Sequence, residues 1–114
     1  MEPGETRNPL AQLRRGVLEY CVLSLLRDEE RYGFDLVRRL GELDGMITTE
    51  GTIYPLLTRL RRDGRVTSRW AESESGPPRR YYRTSPEGVR ALRAFTAEWQ
   101  RFRNAVDECL GEPA

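Results

Sequence analysis

The side chains best suited to a chemical task lie in residues 48–63, TTEGTIYPLLTRLRRD. Ile53, Leu56, Leu57 and Leu60 fall three, four and seven apart, one helical stripe that must face a core. The opposite side presents Thr52, Tyr54, Thr58, Arg59, Arg61 and Arg62. Hydroxyls and guanidiniums bond phosphate oxygens and base edges, so this pattern points to recognition of a polyanion rather than to bond breaking. Thr48 or Thr49 can cap the helix, with Glu50 and Gly51 in its first turn, and Gly64 can end it. Pro55 requires either a loose first turn or a start near Thr52. Thr49, Glu50, Gly51, Thr52, Tyr54, Pro55, Thr58 and Arg59 are the candidate contacts on this helix; Glu50, Thr52, Thr58 and Arg59 are assigned to base reading. Catalysis finds no support. The chain has no His, no metal-ligand cluster and no nucleophile motif, and neither Cys21 nor Cys109 stands in a basic, polar string. No cofactor is expected.

Such a surface needs a frame. A chain of 114 residues is one domain by length. Residues 1–9 read as a flexible arm, 10–84 as the DNA-binding unit, 85–110 as a long helix and 111–114 as a tail. The first helix runs from Pro9 or Leu10 to about Asp28 and is apolar on two sides. Leu18, Val22, Leu25 and Leu26 form one side; Leu10, Leu13, Val17, Cys21 and Tyr20 form the other. Residues 28–31, DEER, read as a charged turn, and 32–43 as a second helix with Phe34, Leu36, Val37, Leu40 and Leu43 toward the core. Gly33 would allow close approach of another backbone, and residues 46–48 a short strand. Two short helices, the second basic outside, make the helix-turn-helix pattern.

Residues 65–72, RVTSRWAE, alternate in part; ESGPP at 74–78 is a turn that no helix crosses; RRYYRT at 79–84 resumes as a strand. A hairpin directly after a helix-turn-helix is a wing, with Arg79 and Arg80 at its base beyond the tip, in reach of phosphate or the minor groove. Net charge is +1, yet residues 59–83 hold eight Arg against three acids, a local +5. That localised patch favours a nucleic acid over a plain solvated hairpin. All nineteen basic residues are Arg, a bias that extends beyond the patch and carries no functional weight.

Ser85 caps the last helix with Pro86 at its first position, and the helix runs to about Leu110. Leu92, Phe95, Trp99, Phe102, Val106 and Cys109 step 3, 4, 3, 4, 3, a heptad seam. At about 36 Å it outruns a small winged domain. The seam and the open side of the first helix (Leu10, Leu13, Val17) are both covered in a homodimer, whereas a monomer with the last helix folded onto the first leaves aromatic surface bare. The N-terminus has no signal pattern and no run is long enough to cross a bilayer, so cytoplasmic retention without membrane association is expected, with both thiols free.

The order of parts resembles the PadR family of bacterial transcriptional regulators, in the subgroup with a single C-terminal helix. The strings that carry the resemblance are LRRGVLEYCVLSLL at 13–26, YGFDLVRRL at 32–40, GTIYPLLTRLRRDGRVTSRW at 51–70 and GPPRRYYRTSPEG at 76–88. The resemblance implies a mostly α fold with a small β-hairpin: a winged helix-turn-helix plus a C-terminal dimerisation helix. It further implies a homodimeric repressor of an inverted-repeat operator, released by a small molecule. By the same resemblance Tyr32, the GTIYP segment and wing residues Arg79 and Arg80 contact double-stranded DNA. Trp99, with Phe95, Phe102 and Tyr20, would line an effector pocket at the dimer centre, where Arg103 favours an aromatic or anionic effector over a cationic one. The competing readings are a winged-helix module that binds protein, and a repressor that responds to thiol oxidation.

Overall fold

A computed structural model describes residues 9–111 of the chain. The N-terminal arm, apart from Pro9, and the tail beyond Gly111 lie outside the described residues. The elements in order are α1 (Pro9–Asp28), β1 (Arg31–Tyr32), α2 (Gly33–Gly41), α3 (Glu50–Arg62), β2 (Val66–Ala71), β3 (Arg79–Thr84) and α4 (Pro86–Leu110). The fold is mostly α with a small antiparallel sheet in the order β1-β3-β2.

The apolar stripes of three helices meet. Val22, Leu23 and Leu26 of α1, Leu36 and Leu40 of α2, and Ile53, Leu57 and Leu60 of α3 are fully buried. Val66 of β2, Tyr82 of β3 and Leu92 of α4 close this core from the sheet side and from the last helix. The stripe expected on α3 is therefore the one that packs. On α2 the phase differs from expectation. Leu36 and Leu40, four apart, point inward, while Phe34 is 49% and Leu43 37% exposed. Helical geometry places residues four apart on one face, and Phe34 falls off that face, its ring stacking loosely on Tyr32 at 6.4 Å. Helix α2 also ends at Gly41, so Leu43 lies beyond it.

The short strand is found at Arg31–Tyr32, not at residues 46–48, which carry no strand. Of the stretch that reads as a charged turn, Asp28 ends α1, Glu29 and Glu30 are irregular, and only Arg31 enters the strand. The Arg31 guanidinium pairs with Asp35 at 3.0 Å and Glu29 at 3.5 Å. Arg31 then pairs across to Tyr82 and Tyr32 to Tyr81, where the Tyr32 and Tyr81 rings meet edge to face at 5.4 Å.

Helix α3 begins at Glu50 in spite of Pro55, its sixth residue. Proline lacks the N–H that would bond the carbonyl four residues back, at Gly51. Gly51 is exposed, so water can donate to that carbonyl in place of the missing N–H.

The join between wing and last helix is tightly fastened. The Thr84 hydroxyl donates to the Leu23 carbonyl at 2.7 Å, tying the end of β3 to α1. The Ser85 hydroxyl donates to the Gly64 carbonyl at 2.7 Å and accepts the Gly88 N–H at 3.0 Å, the cap expected there. The Ser85 N–H donates to the Arg65 carbonyl at 2.9 Å.

Helix α4 has 25 residues, and α1 covers only its first half. Tyr20 stacks face to face on Phe95 at 4.0 Å, and beyond that stack Trp99 is 36% and Phe102 61% exposed. Leu92 leaves the expected dimer seam: it is 5% exposed, because the first turns of α4 close the protomer's own core. No helix among the described residues is long and apolar enough to cross a membrane.

Candidate nucleic-acid interface

The outer face of α3 is open. Thr49, Glu50, Gly51, Thr52, Tyr54, Pro55, Thr58 and Arg59 are all exposed. Thr49 is the residue that precedes the helix, but it caps through its backbone. Its carbonyl accepts the N–H groups of Thr52 and Ile53 at 3.1 and 3.0 Å, and its side chain makes no capping bond. The Thr49 hydroxyl, in only long contact (3.5 Å) with that of Thr52, is thereby left for an external acceptor or donor. The Thr58 hydroxyl instead bonds back to the Tyr54 carbonyl at 3.1 Å.

Arg59 is less free than its exposure suggests. Its guanidinium lies 3.2 Å from Glu19 of α1 and 4.0 Å from Asp63. Glu19 also holds Arg65 at 2.8 Å. The Tyr20 hydroxyl and the Glu19 carboxylate, both against Arg65, push its pKa up and keep it charged. On the wing, Arg69 grips Glu30 with two bonds of 2.7 Å, and this holds the Glu30 carboxyl below its usual range. The fold thus brings Glu19 and Glu30 onto the +5 block from about 40 residues away. The net field of the patch is weaker than its sequence implies. In exchange, α1 lends two cations: Arg14 and Arg15 line an open groove of about 670 Å³ beside Thr48, Thr52 and Arg62. The Arg14 guanidinium bonds the Gly45 carbonyl at 3.0 Å.

The YG and GTIYP strings, some twenty residues apart, form one unit. Tyr54 of α3 lies on Gly33 of α2. A Cβ built on Gly33 would stand 2.3 Å from a Tyr54 ring carbon. Gly33 therefore accommodates a side chain and not the neighbouring backbone expected from its position. Packing on Gly33 pushes the Tyr54 phenol up, with Glu50 adding to the shift, so the hydroxyl stays protonated and able to donate. Gly33→Ala meets the far end of one flexible side chain, so the fold should lose under about 1 kcal/mol. Tyr54 must swing away, and duplex affinity should fall about tenfold with little change in melting temperature. A titration paired with a thermal melt checks this; an equal fall in both would mean that Gly33 supports the fold alone.

Arg79 and Arg80 occupy the loop end of the hairpin, not its base. The register pairs Ala71 with Arg79 and Trp70 with Arg80, next to the 72–78 loop, while Val66 and Thr84 form the base. Neither arginine is loose. Arg79 lies over the Tyr32 ring at 4.4 Å, and Arg80 over the Trp70 ring at 4.8 Å. Together with Gly33 and Tyr54 these groups line a cleft of about 360 Å³ between wing and helices. Trp70 was not among the residues singled out from sequence. Alternation along β2 places Ser68 and Trp70 on one face, and an aromatic residue opposite an arginine on a neighbouring strand was the available signal.

The second group of expected residues forms a ladder along α4. Tyr20 meets Phe95, Phe95 lies 6.1 Å from Trp99, and Trp99 lies 6.4 Å from Phe102. Arg103 is exposed beside it, and Val106 is half-buried. Leu10 and Leu13 are exposed on α1, Val17 is half-buried, and Cys109 is exposed near the end of α4. In a single chain the ladder ends in solvent.

Comparison with known proteins gives a consistent result. The transcriptional regulator PadR-like family profile matches residues 22–94. A transcriptional regulator of Mycobacterium tuberculosis is 32% identical over 102 residues, covering 90% of this chain and 91% of its own. The crystal structure of a PadR family transcriptional regulator from Eggerthella lenta is 40% identical, with a TM-score of 0.81 over 91% of this chain and 90% of that one. A PadR-like transcriptional regulator from Bacillus cereus is 32% identical, with a TM-score of 0.80 over 90% of this chain and 99% of its own.

Proposed function

The chain belongs to the PadR-like family of transcriptional regulators, which bind DNA and are not enzymes, and from that premise we propose that it is a homodimeric repressor of an inverted-repeat operator. In this reading residues 10–84 are the DNA-binding unit and 85–110 the dimerisation helix. The observation that carries it is the exposed aromatic half of α4: Trp99 and Phe102 stand bare on a helix that projects past its own core. A two-fold partner covers them together with Leu10 and Leu13, and that pairing sets two α3 helices at a fixed separation. Successive major grooves on one side of a duplex are about 34 Å apart. Thr49, Tyr32, Tyr54, Arg79 and Arg80 fix the register on the backbone, while Glu50, Thr52, Thr58 and Arg59 meet base edges. To reach a base, Arg59 exchanges Glu19 for the duplex.

A flat aromatic or anionic effector that stacks on Trp99 between the α4 helices, beside Arg103, changes the angle between protomers. It releases DNA to the extent that it binds the two arrangements with different affinity. The thiol alternative gains no support from Cys21, whose pKa is raised by burial, so less of it is thiolate.

Changing Arg79 and Arg80 together to Ala should weaken binding to every duplex, about tenfold or more at moderate salt. The slope of log affinity against log salt should drop by about four, two for each protomer of the dimer. A gel shift on the DNA upstream of the chain's own gene, at several salt concentrations, tests both the repressor reading and the wing. Failure to bind even in dilute buffer, or a purified protein that is monomeric at micromolar concentration, would overturn the reading.

A further inference from the structure

Trp70 is a large aromatic side chain, 62% exposed on an edge strand, where it adds nothing to the core. The Arg80 guanidinium lies directly across the ladder and stacks over its ring at 4.8 Å. The same guanidinium donates to the Ser68 hydroxyl at 3.0 Å, and Ser68 lies two residues before Trp70 on the same strand face. Ring and hydroxyl thus grip one cation from two directions. Stacking uses the flat face of a guanidinium and leaves its edge, where the N–H groups lie. One N–H goes to Ser68, and the guanidinium lines the cleft at the loop end of the wing. An unrestrained arginine there would lose much rotamer freedom on meeting a phosphate, and this one has already lost it.

We propose that Trp70 is a positioning residue for DNA binding: it orders Arg80 before contact, so that the guanidinium edge meets a backbone phosphate or the minor groove. The inference rests on the DNA-binding reading above but assigns a role to a residue outside its contact set. Trp70 acts through Arg80, and its own ring need not touch the duplex.

The test uses the full chain and a random-sequence duplex of about 30 base pairs, titrated from dilute to moderate salt. Trp70→Ala removes no charge. It should nevertheless lower affinity about three- to tenfold and reduce the salt slope by about two, one for each protomer of the dimer, as Arg80→Ala should. The double variant should be no weaker than Arg80→Ala alone. Trp70→Phe, which restores a ring face, should recover most of the loss. An affinity loss with an unchanged salt slope would mean that the indole touches DNA itself, and would overturn the positioning role. So would a Trp70→Ala variant that binds like wild type, or one whose loss adds in full to that of Arg80→Ala. Thermal melts of all four variants identify any that lose affinity through unfolding, and where Trp70→Ala does so Trp70→Phe decides alone. If the wild-type chain ignores this duplex even in dilute buffer, the DNA-binding reading itself fails, a result distinct from any pattern among the variants.

Discussion

Phe102→Glu is expected to give a folded monomer that has lost at least about a hundredfold in duplex affinity. Phe102 is 61% exposed and touches no core residue; its nearest ring, Trp99, is 6.4 Å away. Changing such a surface position should cost the protomer less than about 0.5 kcal/mol. In the proposed dimer the same position lies in the seam, and two-fold symmetry introduces the carboxylate twice. Burying an unpaired ion costs several kcal/mol even after relaxation. Two of them amount to a rise of several powers of ten in the dimer dissociation constant. A monomer then engages one half-site, without the effective concentration that the second half-site supplies, a factor of about 10² or more. Sedimentation with a parallel titration on the upstream duplex checks both parts. A dimer of undiminished affinity would place the interface away from the aromatic half of α4.

Gly88→Ala is the second large effect, and its sign is diagnostic. Within an ordinary helix, glycine to alanine stabilises by about 1 kcal/mol. Here the added Cβ would stand 2.1 Å from the Arg65 carbonyl oxygen and 2.7 Å from a Thr84 methyl carbon. That carbonyl already accepts the Ser85 N–H at 2.9 Å, and the Gly88 N–H is the one that Ser85 caps. The clash is with main chain held on both sides, so neither partner can move without breaking a bond. Overpacking of about 1–3 kcal/mol plus the loss of a cap worth about 1 kcal/mol gives a destabilisation of about 2–4 kcal/mol. The melting temperature should fall by roughly 10 °C. Gly33→Ala, which meets a movable ring instead, should leave it almost unchanged. A Gly88→Ala protein that melts at or above the wild-type temperature would show that α4 is not fastened to the α3–β2 corner as described.

These two sites also separate what local sequence dictates from what packing adds. The four helices, the hairpin and the Ser85 cap were legible because each rests on residues within a turn or two. A stripe at three and four, an alternation broken by Gly-Pro, and a Ser before Pro impose their structure wherever they occur. The same holds for the α4 seam, whose spacing alone marks Trp99 and Phe102 as surface in need of cover. Leu92 belongs to the same spacing and yet is buried, because periodicity states that a face is apolar and not which neighbour covers it. The partners across the chain were not legible. Glu19 and Arg59 are 40 residues apart and Glu30 and Arg69 are 39 apart. Nothing local brings those acids onto the basic block. Gly33 under Tyr54, Arg80 on Trp70 and the two-residue strand at Arg31–Tyr32 likewise exist only once the sheet is in register. By itself the sequence determined the helices, the wing and the family. Tertiary structure alone decided which cations remain open to DNA, because ion pairs and ring stacks depend on separations in space that only closure of the core sets.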